Sequence, residues 1–136
     1  MIRPIVTSRL ALRTSSTPAT QEDVSVAQDL LDTLATHAHE CVGLAANMVG
    51  IRKRVIAFDD NGTSRAMLNP EIVEQSGAYE TEEGCLSLPG RRPTTRYQQI
   101  AVRWQDLDMV WHEERFSGWT AQIIQHEIDH YNGILI

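Results

Sequence analysis

Cysteine, long apolar runs and blocks of basic charge are all scarce in this chain, and each scarcity closes off a class of explanation. Two cysteines in 136 residues, Cys41 and Cys85, cannot build the disulfide framework that small secreted domains rely on, so both are read as thiols. No apolar run approaches the length that spans a bilayer. The opening stretch MIRPIVTSRLALRTSS has no continuous hydrophobic segment ahead of a small-residue cleavage site. Neither a membrane partner nor export is expected, and the expected location is the cytoplasm. The only basic cluster is IRKR at 51–54, in a chain of formal net charge -6 and pI about 5.3, so direct nucleic-acid binding is excluded as well. Repeats, low-complexity tracts and linkers are absent. With 42% hydrophobic residues, the length suits one domain over 1–136 with one buried core.

What is present reads as a helix, a group of strands and a second helix. Thr20 with Asp23 resembles a helix start, and Val24, Ala27, Leu30, Leu31, Leu34 and Ala38 then recur at helical spacing, which predicts a helix over about 21–39. The β-branched and aromatic content of 54–58, 66–74, 98–104 and 109–116 predicts short antiparallel strands, with DDNG at 59–62 as a turn between the first two. Ser117 then offers an N-cap. Ala121, Ile124, Ile128 and Tyr131 form one apolar stripe before Asn132 and Gly133 end the second helix. The expected fold class is α+β, with antiparallel strands packed around a C-terminal helix.

That last helix carries His126-Glu-Ile-Asp-His130, an HExxH pattern. Residues four apart on an α-helix lie on nearly one face, so two imidazoles can chelate one metal ion while Glu127 reaches a water at the site. The bland reading is a solvated helix face. A catalytic metal usually takes a third protein ligand, and only YNGILI follows His130, so that ligand is expected upstream. Cys41, Cys85, His37, His39, His112 and scattered carboxylates remain candidates. Context favours Cys85, which lies in the turn-rich EEGCLSLPGRR, whereas Cys41 sits in the bare run CVGLAANMVG and reads better as a packed small residue.

VGLAANMVG, EGCLS and QHEIDHYNG, in that order, with LNPEI ahead of the second, resemble the three signature motifs of peptide deformylases over nearly the whole chain from about residue 2. The resemblance implies a metal held by Cys85, His126 and His130. Iron(II) is the expected ion, and zinc, nickel or cobalt suit the same ligands. It implies Glu127 as general base, the backbone N–H of Leu86 as an oxyanion donor, and Gly43, Leu44, Ala45, Met48, Glu83 and Gly84 as substrate-binding positions. The implied activity is removal of the formyl group from N-formylmethionyl nascent peptides.

Two departures stand out. The family usually has glutamine where this chain has Met48, and glycine where it has Cys41. Methionine has no hydrogen-bond donor, and losing one oxyanion donor costs about a hundredfold to a thousandfold in turnover. Asn47, next to it, carries an amide that could substitute. The alternative functions are a deformylase-like paralogue that binds metal and formylated peptides without processing them, and an amidase for another acyl group. Bacterial members also run on past the metal helix into structure linked to ribosome docking, so docking through such a tail is not expected here.

Overall fold

The computed structural model describes residues 1–135. Its helices are α1 (Arg9–Leu12), α2 (Val24–Thr36) and α3 (Gly118–Tyr131), and its strands β1 (Gly43–Ala45), β2 (Val55–Asp60), β3 (Thr63–Gly84), β4 (Arg91–Gln105) and β5 (Trp111–Ser117). The five strands form one sheet in the order β1-β2-β3-β4-β5, each antiparallel to its neighbour, so the α+β expectation holds. Among the described residues no helix is long and apolar enough to cross a membrane.

The long helix in the first third is shorter than its periodicity suggests. The Asp23 carboxylate does accept the Thr20 N–H at 2.8 Å, but residues 21–23 form a 3-10 turn. α2 then ends at Thr36, because the chain turns at His37 to bring Cys41 toward the sheet. Its Ala27, Leu30 and Leu34 are buried as expected, while Ala38 lies beyond the helix and is exposed.

The strands differ more from expectation. Two of them are long: β3 runs 22 residues and β4 runs 15, against the short segments predicted at 66–74 and 98–104. The β2–β3 hairpin turns on Asn61 and Gly62, both at positive φ (51° and 96°), as the DDNG signal requires. Beyond Glu74, β3 pairs among the described residues only with β4, and this two-stranded ribbon carries the chain to Gly84 and the 85–90 loop.

α3 packs its expected stripe inward: Ala121, Ile124, Ile128 and Tyr131 are all buried. Ser117 is its N-cap residue but makes no side-chain capping bond. The helix stops where Gly133 adopts φ 78° and its N–H bonds back to the His130 carbonyl. The Gln125 amide, one residue before His126, bonds both Tyr97 backbone groups: its Oε1 accepts the N–H at 2.8 Å and its Nε2 donates to the carbonyl at 2.9 Å. That clamp docks the helix on β4, so His126 and His130 face the loop that follows β3.

Candidate metal centre

Cys85, His126 and His130 come together where the 85–90 loop meets α3, with their ligand atoms all within 4.8 Å of one another. The Cys85 sulfur lies 3.3 Å from His130 Nε2, and the two Nε2 atoms are 2.9 Å apart. Nitrogen donors at ~2.0–2.1 Å and a sulfur at ~2.3 Å around one tetrahedral ion stand roughly 3.3–3.6 Å from each other, so this group needs only slight opening to hold one. The Ser87 N–H points at the sulfur from 3.3 Å.

The other candidates for third ligand are elsewhere. His37 pairs with Glu40, His39 is exposed, and His112 stacks on Trp104 and bonds Asp106. Cys41 does line the same cleft, but its thiol donates to the Gly43 carbonyl at 2.9 Å and, chiefly through burial, is pushed up to about 12. A thiol that holds its proton so tightly is a packed group, as its sequence setting suggests.

Behind the ligands lies a buried ionic network that ties the motif residues Glu83, His126 and Asp129 to Arg96 and Gln122. Glu83 Oε1 bonds His126 Nδ1 at 2.7 Å, which leaves Nε2 free for an ion. Arg96 grips the same carboxylate through Nε and Nη2, and reaches Asp129 at 2.7 Å through Nη1. Gln122 Nε2 adds a bond of 2.8 Å to Glu83 Oε2. Burial would raise the Glu83 pKa, but the bonds from His126, Arg96 and Gln122 hold it down to about 2. Burial would likewise lower His126, yet the neighbouring Cys85 sulfur and Glu83 lift it to about 10. His130, buried and facing the charge on His126, falls to about 3.

Glu127 lines the same cleft, 4% exposed, with Oε1 lacking any partner among the described residues. Burial is the main cause of its pKa rising to about 7, although the positive charge of His126 pulls the other way. The cleft in front of it has a volume of about 730 Å³, and its walls include Met48, Leu86, Trp119 and Ile123.

A model of the family described as polypeptide deformylase matches residues 2–136. This chain belongs to that family. It is 48% identical over 136 residues to the peptide deformylase of Clostridium beijerinckii, a match that covers all of both chains. The crystal structure of the Thermotoga maritima peptide deformylase superposes with a TM-score of 0.88 at 33% identity, covering 99% of this chain and 95% of that one. A Met-Ala-Ser-bound class I type b peptide deformylase from Acinetobacter baumannii gives 0.88 at 31% identity, covering 99% and 97%.

Within this family member the positions singled out by motif divide into two groups. Gly43, Met48, Glu83, Gly84 and Leu86 line the cleft, whereas Leu44 and Ala45 are fully buried beneath it. The Leu86 N–H has no acceptor among the described residues. Asn47 cannot stand in for the missing glutamine, because its Nδ2 is committed to the His130 carbonyl at 2.6 Å. Met48 is 1% exposed, and its sulfur takes the Ala45 N–H at 3.4 Å. Arg96 and Gln122 lie outside the motifs, and Gln125, although it opens QHEIDHYNG, was given no role by them. Each acts on a partner from another element, which single-sequence spacing does not encode.

Proposed function

We propose that this chain is a peptide deformylase: a metal-dependent hydrolase that removes the N-formyl group from N-formylmethionyl peptides of nascent proteins. The observation that carries the proposal is the Cys85–His126–His130 donor group, half-buried at the cysteine and buried at both histidines, with a Glu127 carboxylate oxygen at its side that has no partner among the described residues. A thiol sulfur and two imidazoles, one oriented by a carboxylate, suit a divalent ion, with iron(II) proposed in the cell and zinc, nickel or cobalt equally acceptable to the donors. An ion held there supplies Lewis acidity and a water activated near neutral pH.

The chain's own residues then divide the work. Glu127, with a pKa near 7, takes a proton from the attacking water and passes it to the departing nitrogen. Water adds to the formyl carbon, the C–N bond breaks, formate leaves, and the methionine keeps a free amine. The Leu86 N–H steadies the oxygen of the tetrahedral carbon. Met48 offers no donor there. Among the described residues β1 pairs only with β2, so its other edge can take an extended peptide, with Gly43 and Gly84 presenting backbone and Leu44 and Ala45 supporting the strand from beneath. A relative that holds Met-Ala-Ser supports a substrate beginning with methionine. Such peptides arise where translation occurs, and we place the enzyme in the cytoplasm.

Met48 is the one feature favouring a silent paralogue, and the full-length match to a curated peptide deformylase weighs against it. Formate release from a formyl-methionyl peptide, using ferrous or nickel protein prepared without oxygen, tests the proposal. Release well above that of metal-stripped protein is expected. None, with one metal per chain confirmed, would overturn it.

A further inference from the structure

Gly43 is a glycine for reasons of space. It lies on β1 opposite Phe58, and it is not among the glycines at positive φ, so its backbone could be adopted by any L-residue. Gly62 and Gly90 make the contrast: both have positive φ, and a β-carbon on either would meet nothing within 4 Å. At Gly43 a β-carbon would fall 2.6 Å from Glu127 Oε2, 3.1 Å from Glu127 Cδ and 2.9 Å from Ile123 Cγ2. The carboxylate therefore rests against the bare α-carbon. Binding a peptide backbone would not by itself require glycine here, since alanine carries the same N–H and C=O.

We infer that Gly43 is a positioning residue for Glu127, its missing side chain forming the seat that holds the carboxylate toward the Cys85–His126–His130 group. The inference rests on the deformylase reading for its kinetic consequence, but the contact itself does not. Both Glu127 and Ile123 project from the same face of α3, one turn apart, and the end of a glutamate yields more easily than a strand or a β-branched side chain. Adding one methyl at 43 should thus displace the base first. A displacement on the order of 1 Å can cost about a hundredfold in rate.

The test is a set of cycles built on Gly43→Ala. In metal-loaded enzyme, Gly43→Ala is expected to lower kcat about a hundredfold, with KM within about twofold and one metal per chain retained. Glu127→Asp, one methylene shorter, also slows turnover. The double variant Gly43→Ala/Glu127→Asp should be no slower than Glu127→Asp alone, because the shortened acid no longer meets the new methyl. Ile123→Ala should not recover the Gly43→Ala loss. Losses that multiply, a raised KM with kcat intact, or recovery by Ile123→Ala would each overturn the inference. A second readout needs no catalysis. Gly43→Ala should lower Tm by roughly 3–6 °C in the wild-type background and by much less in Glu127→Ala. If Gly43→Ala is too unstable to assay while Gly43→Ala/Glu127→Ala folds, the contact is supported. If the drop is the same in both backgrounds, it is refuted. Should wild-type protein release no formate, the deformylase reading fails while this thermal cycle still decides the role of Gly43.

Discussion

Glu83 holds three partners with one carboxylate: His126 on the metal side, and Arg96 and Gln122 behind it. Glu83→Gln keeps the shape but loses the charge that orients His126 Nδ1. Metal affinity is expected to fall about 10- to 100-fold, read by competition with a chelator. Cys85→Ser should lose the metal outright in elemental analysis, whereas Cys41→Ser should keep it, because Cys41 stands outside the ligand group. Met48→Gln puts a donor on the wall of the cleft that Leu86 also lines and should raise kcat with little change in KM. An unchanged kcat in steady-state assays would mean that the Leu86 N–H suffices. Cys85, His126, Glu127 and His130 were readable because an i, i+4 pair on a helix declares its own geometry and Cys85 stands in a turn-rich segment. Arg96 was not. It pairs with Tyr79 across the ribbon, and only that register brings its guanidinium along the same face to Glu83.

At the scale of elements, α3 was legible from cap to stop because a buried stripe, a terminal glycine and the motif all agree. The ribbon of β3 and β4 was not, since QSGAYETEE shows none of the alternation that marks a strand with one buried face. Its coherence comes from cross-strand pairs such as Thr95 with Glu80, and from helix side chains meeting it from behind. β1, three residues of Gly-Leu-Ala, and the four-residue α1 are too short to carry a pattern. Gln125 joins the helix to the ribbon. Gln125→Ala would leave the Tyr97 N–H and carbonyl without partners, costing about 1–3 kcal/mol in urea unfolding. Hydrogen exchange at the Tyr97 amide should speed up in the same variant, and an unchanged exchange rate would show that the clamp is dispensable.

For the whole molecule, the ionisable groups around the site set a pH profile for metal-free protein. His126 keeps its proton up to about 10 when folded but releases it near 6.5 when unfolded. Its contribution is therefore full below 6.5 and fades as pH rises toward 10. The raised carboxyl of Glu127 acts in the same direction between 4.5 and about 7. Glu83 and His130 act oppositely: their folded values of about 2 and about 3 make the unfolded chain bind more protons in acid, so stability falls as pH drops below their unfolded values. Thermal unfolding in chelator should show a plateau in mildly acidic buffer and a decline on both sides. An added ion takes the place of the His126 proton and should flatten the alkaline limb. A chelated protein whose Tm does not change between pH 7 and 9 would refute this account.

The sheet is a simple meander in which each strand pairs with the next, so it can form progressively as the chain emerges during synthesis. Its ligands cannot assemble that way. Cys85 and His130 are 45 residues apart, and both imidazoles belong to the last helix. A ribosome therefore exposes the Cys85 thiol at the end of an open ribbon well before the histidines that would share an ion with it, and the nascent enzyme cannot act on its neighbours until α3 has been made.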